Sequence, residues 1–241
     1  MKYIKYILMV AILSLAFCTS CAKEKTVKVE AAPVEKPVVS PITKDLIMEN
    51  AVAWDAESRR RQTEIRQVQI ISDFMDQHKG ELAKREAIPS SEIYSSMKKH
   101  CATYGIGVDI LIGLTIAESN ISQRPRDSVA GCRGICQVSR YALEDFNTNV
   151  IWKKYHDGRK FYTWDDMYDY DKNIEVACYY LRWLWNSFDD IRTIEDVLIS
   201  YNAGHGKLAK YKAINDISRY HYHVDIIGYA KEYNARLGIL N

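Results

Sequence analysis

Residues 110–118 read Ile-Leu-Ile-Gly-Leu-Thr-Ile-Ala-Glu, and this stretch constrains the fold more than any other part of the chain. Asp109 stands before it as a capping residue, and the helix it opens is apolar almost all round. Such a helix has no face to offer to water, so other elements must enclose it. The elements around it also read as helices. Ser90 or Ser91 can cap one that carries Ile93, Met97 and Cys101 until Gly105 stops it. A helix from about Asp171 sets Ile174, Ala177, Cys178, Leu181 and Leu184 on one face. Thr193 with Asp196 makes a capping box for a stripe of Ile194, Val197, Leu198 and Tyr201, and Gly204 ends that helix. A last helix runs from about Tyr222 to Leu237. Strand-like alternation is nowhere long enough for a sheet of any size, so the expected fold class is mainly α.

The 241 residues suffice for one good-sized domain with appendages. Lys2 and Lys5, in an N-terminal stretch without acids, account for the whole net charge of +2. No clustered basic excess remains for phosphate contacts, which argues against a nucleic-acid binder. The first twenty residues combine those lysines with an apolar run from Ile7 to Phe17 and then Thr19, Ser20 and Cys21, the pattern of a secretion signal. The run is short of the roughly 20 apolar residues a spanning helix needs. It resembles a bacterial lipoprotein signal cut before a cysteine that receives lipid, and Cys21 fits that position better than Cys18; an ordinary cleaved signal without lipid is the alternative. From Ala22 to about Ile42, Pro33, Pro37 and Pro41 and the lack of a helical stripe predict an extended, disordered tether. Between about Lys44 and Lys84, Ile65, Val68, Met75 and Leu82 recur at near-helical spacing, an amphipathic helix or helix pair that Gly80 can break.

Glu118 closes the apolar helix in phase with Leu111 and Leu114. A carboxyl there is poorly solvated, and desolvation raises its pKa toward what a general acid needs near neutral pH. A buried glutamate paired with an arginine or with backbone donors is the structural alternative.

The neighbouring motifs decide between these readings. They are Ala117-Glu-Ser-Asn120, then Ser128-Val-Ala-Gly131-Cys-Arg-Gly134-Ile-Cys-Gln137-Val, then Ser200-Tyr-Asn-Ala-Gly204-His-Gly206. Together with Asn173-Ile174 and Tyr180-Leu181 they resemble, in order, the motifs of the soluble lytic transglycosylases over roughly Pro89 to Tyr233. The resemblance implies a lysozyme-like fold and a peptidoglycan substrate. It implies cleavage of the glycosidic bond between the two alternating amino sugars with formation of a 1,6-anhydro end, and Glu118 as the single acid/base. Gln137 resembles an amide that binds a sugar substituent, and Ser128 a polar contact near the carboxyl. Tyr201 resembles a tyrosine that steadies Glu118 or the substrate, and Asn202 its neighbour that fixes the local backbone, both counted with the substrate-binding residues; a core position for Tyr201 and a helix-end role for Asn202 are the structural alternatives. Ser119 reads as support for the helix end. Tyr222, with Ile226 and Tyr229, resembles the family's closing helix and reads as packing. The expected organisation is a signal peptide at 1–20, lipidated Cys21 and tether at 21–42, a helical spacer at 43–86 and the transglycosylase domain at 87–241. No cofactor is implied. The partners the resemblances imply are glycan strands and, through the lipid, a membrane facing the periplasm, the outer one if the cell has one.

Cys132 and Cys136 replace the alanine and methionine usual in the motif. With Cys101 and Cys178 they allow three disulfide pairings, and no ligand spacing for zinc emerges. The aromatic run Trp152, Tyr155, Phe161, Tyr162, Trp164, Tyr168 and Tyr170 reads either as a groove wall for sugars or as a local core under a loop. A muramidase on the same fold and an inactive peptidoglycan-binding lipoprotein are the competing functions.

Overall fold

The computed structural model describes residues 44–125, 131–148, 161–214, 217 and 220–238. The signal peptide, the tether with Cys21, Ser128, Trp152 and Tyr155 lie outside the described residues. The chain divides into a unit Met1–Asn50 and a unit Ala51–Asn241. Among the described residues the elements are α1 (Lys44–His78), α2 (Glu81–Glu86), α3 (Ser90–Tyr104), α4 (Val108–Ser119) and α5 (Arg140–Thr148). After a 3-10 turn at Asp165–Tyr168 come α6 (Tyr170–Ser187), α7 (Ile194–Ala203), α8 (His205–Ala213) and α9 (Tyr222–Arg236). The only extended pairing among them is an isolated bridge between Arg133 and Val138.

The apolar helix sits in the middle as its composition requires: Leu111, Ile112, Gly113, Leu114, Thr115 and Ile116 of α4 are all buried. Helices α3 and α9 pack directly on α4, and α6 packs on α3, α5 and α7. Gly105 takes φ +65 and caps α3, and the Thr193–Asp196 capping box is formed with both reciprocal bonds. Two expected caps are not made. Gly107 precedes α4 instead of Asp109, whose carboxylate accepts from Asn234 Nδ2 at 2.9 Å on α9. Ser90 lies inside α3, and its hydroxyl donates to Asp76 Oδ1 at 2.7 Å. In both cases a long-range partner outcompetes the local backbone for the side chain.

Helix α9 runs antiparallel to α4. Asn234 meets Asp109, Ile226 crosses at Gly113, and Tyr222 reaches Glu118. The crossing depends on the missing side chain, since a Cβ on Gly113 would lie 2.5 Å from the Ile226 carbonyl oxygen. Gly113→Ala therefore has to push two helix backbones apart. It is expected to cost about 1–3 kcal/mol in a denaturant melt, the range for overpacking, and to weaken the Tyr222–Glu118 contact further along the same crossing.

The segment 43–86, expected either as a spacer or as packing against the domain, contributes its second half to the core. Ile71, Phe74 and Met75 are buried in the same cluster as α4 and α6. Phe74 meets Tyr233 edge-on at 6.2 Å and carries the Arg236 guanidinium over its ring at 4.8 Å. Earlier on α1, Val52, Trp54 and Ile65 are exposed, alongside the ion pairs Arg59–Asp55 at 2.6 Å and Arg61–Glu57 at 3.0 Å. Such i,i+4 pairs add only about 0.2–0.5 kcal/mol each.

Candidate active site

The chain leaves α4 through two consecutive left-handed residues, Asn120 at φ 50 and Ile121 at φ 63. Asparagine tolerates this region, whereas a β-branched residue is strained there by about 1–2 kcal/mol. Ile121 is 1 % exposed, and burying a side chain of that size contributes about 1.5–3 kcal/mol, enough to hold the turn. The Glu86 carboxylate at the end of α2 secures the next three residues. It accepts from Ser122 Oγ at 2.8 Å and from the amides of Gln123 and Arg124, both at 2.6 Å. This sharp turn leaves Glu118, in the last turn of α4, facing a cavity instead of a continuing helix.

The opposite lip is the loop Gly131–Val138, which α4, α6 and α7 grip together. Ser119 Oγ donates to the Ile135 carbonyl at 2.7 Å. Asn173, fully buried on α6, accepts from Cys136 N at 2.8 Å and donates to the carbonyls of Arg133 and Met167, each at 2.9 Å. Gly134 takes φ +76, and a Cβ there would fall 2.1 Å from the Met167 carbonyl oxygen, so only glycine fits. Gln137 is also left-handed at φ 51, with its Nε2 donating to Gly134 O at 3.1 Å. Arg133 lies over the rings of Trp164 and Tyr168 at 4.9 and 4.7 Å.

Between these lips is a cavity of about 290 Å³, with Glu118 from α4, Cys132 and Gln137 from the loop, Ser139 between the loop and α5, Ala142 from α5, Tyr180 from α6, and Tyr201 and Asn202 from α7. A larger concavity of about 840 Å³ runs between α1 and the turn before α3, and Glu118 does not line it. Size does not mark the site; the convergence of polar groups on one desolvated carboxyl does.

Burial pushes the Glu118 carboxyl above its ordinary pKa, and hydrogen bonds from Tyr222 and Asn202 pull part of the way back. The Tyr222 hydroxyl donates to Glu118 Oε1. The Tyr220 hydroxyl donates to Asn202 Oδ1, which turns the amide nitrogen of Asn202 toward Glu118. Tyr222 stays a donor because burial, and then the Glu118 charge, push its phenol well up. No second carboxylate lines this cavity among the described residues.

Of the residues expected in the site, Glu118, Gln137, Tyr201 and Asn202 come together around the cavity, and Ser128 lies outside the described residues. The Tyr201 hydroxyl, expected on Glu118 or the substrate, donates instead to the Cys136 carbonyl at 2.8 Å. It has one proton, and the loop takes it. The tyrosine on Glu118 is Tyr222, read from sequence as packing. Asn173, Glu86 and Ser139 were also missed as parts of the site. Asn173 alone carried a signal, a polar residue inside the apolar stripe of α6. Cys136 is wholly buried and acts as a small apolar residue behind the loop. Cys101 and Cys178 are buried thiols with their Sγ atoms 4.0 Å apart. Among the described aromatics of the run before α6, Tyr162 is half-buried and packs against the core. It stacks on Phe146 at 5.4 Å and donates to Glu175 Oε2 at 2.5 Å.

A helical domain built round an apolar helix that delivers one desolvated carboxyl to a polar cavity is a lysozyme-like domain. More narrowly, the model of the transglycosylase SLT domain matches residues 95–223, over half of the chain, and the chain belongs to that family. Among solved structures it is similar to the lytic transglycosylase Slt of Pseudomonas aeruginosa, in an inactive variant with glutamine in place of a glutamate. The TM-score is 0.50 at 17 % identity, over 61 % of this chain and 24 % of that one. The likeness is one of fold, and the chain spans about a quarter of that enzyme's length. A comparison with the curated proteins returns no match.

Proposed function

We propose that this chain is a peptidoglycan lytic transglycosylase and that Glu118 is its acid and base in turn. The observation that carries the reading is the desolvated carboxyl of Glu118, with no second carboxylate lining its cavity among the described residues. Glycosidases that use water or a protein nucleophile commonly need two carboxyl groups at controlled separation. A mechanism in which the sugar's own 6-hydroxyl attacks needs one. Protonated Glu118 donates to the glycosidic oxygen as the bond to the anomeric carbon breaks. The resulting carboxylate, held by Tyr222 and Asn202, then takes the proton of the 6-hydroxyl as that oxygen closes on the anomeric carbon. The product is a 1,6-anhydro sugar, and the intramolecular attack draws on a high effective molarity. Gln137 and Asn202 offer amide groups to sugar substituents, and Ser128 contributes from the segment after α4. The domain acts outside the cytoplasm, tethered to a membrane by lipid on Cys21 through residues 21–42. No described helix is long and apolar enough to cross a membrane.

Digestion of purified peptidoglycan, with the released fragments weighed by mass spectrometry, tests this directly. Anhydro ends are expected; reducing ends would turn the reading into a muramidase, and no release into a binding protein.

The acid step requires protonated Glu118, so kcat/KM is expected to fall as pH rises through its raised pKa. Tyr222→Phe removes a donor that favours the charged form. The basic limb of the pH–rate profile should therefore move to higher pH, by about one to two units for a hydrogen bond to a charged group. An unmoved limb would mean that Tyr222 does not set the acid.

A further inference from the structure

The α5–α6 wall of the cavity continues outward as a row of aromatic rings that the chemistry at Glu118 does not use. Tyr180 lines the cavity, and its ring lies nearly parallel to that of Trp183, one turn further along α6, with centroids 5.4 Å apart and 11° between the planes. Tyr141 sits on α5 beside the cavity-lining Ala142 and meets both rings edge-on, at 6.3 and 6.1 Å. Phe188 meets Trp183 edge-on at 5.5 Å. The core face of α6 is a different one, with Ile174, Ala177, Cys178, Leu181 and Leu184 all buried. Tyr180 and Trp183 are partly exposed, and Tyr141 is 57 % exposed.

The cavity holds about 290 Å³, at the lower end of ligand pockets, whereas a glycan strand is a long polymer. Sugars beyond the bond being cut must lie along the surface that continues from it. Pyranose rings present an apolar C–H face, and aromatic faces carry the negative end of a quadrupole, so the two stack. A contiguous, uncharged set of rings, partly open to water and joined to the cavity through Tyr180, fits that ligand class. We propose that Tyr141, Tyr180 and Trp183 form a platform that binds amino sugars of the glycan chain beyond the cleavage point. The proposal rests on the reading of the Glu118 cavity as a glycan-cleaving site.

The test uses the full chain carrying Glu118→Gln, so that bound glycan is not consumed. Calorimetry would measure its affinity for alternating amino-sugar oligomers of two and six units, prepared from peptidoglycan strands stripped of peptides. Adding Tyr141→Ala, at an exposed position where the melting temperature should hold, is expected to weaken the six-unit oligomer about tenfold and the two-unit oligomer hardly at all. Tyr141→Phe, which keeps the ring, should restore the affinity. Unchanged six-unit affinity in Tyr141→Ala would overturn the platform while leaving the cleaving site in place. Absence of binding by the Glu118→Gln protein would overturn the platform together with the reading beneath it, and digestion of peptidoglycan by the unaltered protein reads that second claim separately.

Discussion

With Gln in place of Glu118, release of fragments from purified peptidoglycan is expected to fall by about two to four orders of magnitude, the contribution of a positioned acid–base group. Glutamine keeps the size of the side chain and can still accept from Tyr222, so the loss is one of proton transfer and not of packing. Stability supplies an independent signature. Burial opposes the charge on Glu118, so the folded protein holds this proton more tightly than the unfolded chain does. The stabilisation due to that proton is complete below the ordinary glutamate pKa and is lost as pH rises through the raised one. Thermal melts of the two proteins should therefore diverge across that window, the unaltered protein losing stability relative to the variant, and run parallel above it. Retained cleavage would remove Glu118 from its proposed role. A difference that stays constant with pH would show that the carboxyl is solvated like any other.

Asn173→Ala is expected to be the most disruptive change outside Glu118 itself. The one side chain serves three backbone groups: the amide of Cys136 and the carbonyls of Arg133 and Met167. Each buried group left unpaired costs about 1–3 kcal/mol, and alanine cannot satisfy any of them. Water entering the vacated space would recover part of that, so a loss of about 3–5 kcal/mol is expected, a large share of the stability of an ordinary domain. Because two of these groups belong to the Gly131–Val138 loop and the third ties it to the 3-10 turn, the remaining folded fraction should also have poor activity. Asn173→Asp should do no better, since it keeps an acceptor for Cys136 N but turns a carboxylate oxygen toward two carbonyls. Chemical denaturation measures both variants, and a loss below about 1 kcal/mol for Asn173→Ala would mean that the loop is held elsewhere.

Parts of this molecule were legible because they depend on neighbours in the chain. The all-round apolarity of 110–118 required a central helix, and that helix is enclosed. Gly105, the Thr193–Asp196 box and Gly204 act within one turn of the backbone they cap, and all three stand where the pattern set them. The mainly α class followed from such signals. Two helices escaped: α5 is a short helix of nine residues, and α8 starts directly after Gly204, where the glycine reads as an end.

The site was legible only as far as its local motifs reach. Sequence alone determined that a glutamate ends the buried helix, and therefore that its carboxyl is short of water. It also determined which residues belong to the motifs of a transglycosylase. Only the tertiary structure decided which tyrosine serves that carboxyl: Tyr222, 104 residues away, and not Tyr201, whose hydroxyl holds Cys136. A hydroxyl has one proton, and its destination depends on how closely two helices cross; here Gly113 sets that distance, through contacts no periodicity or spacing encodes.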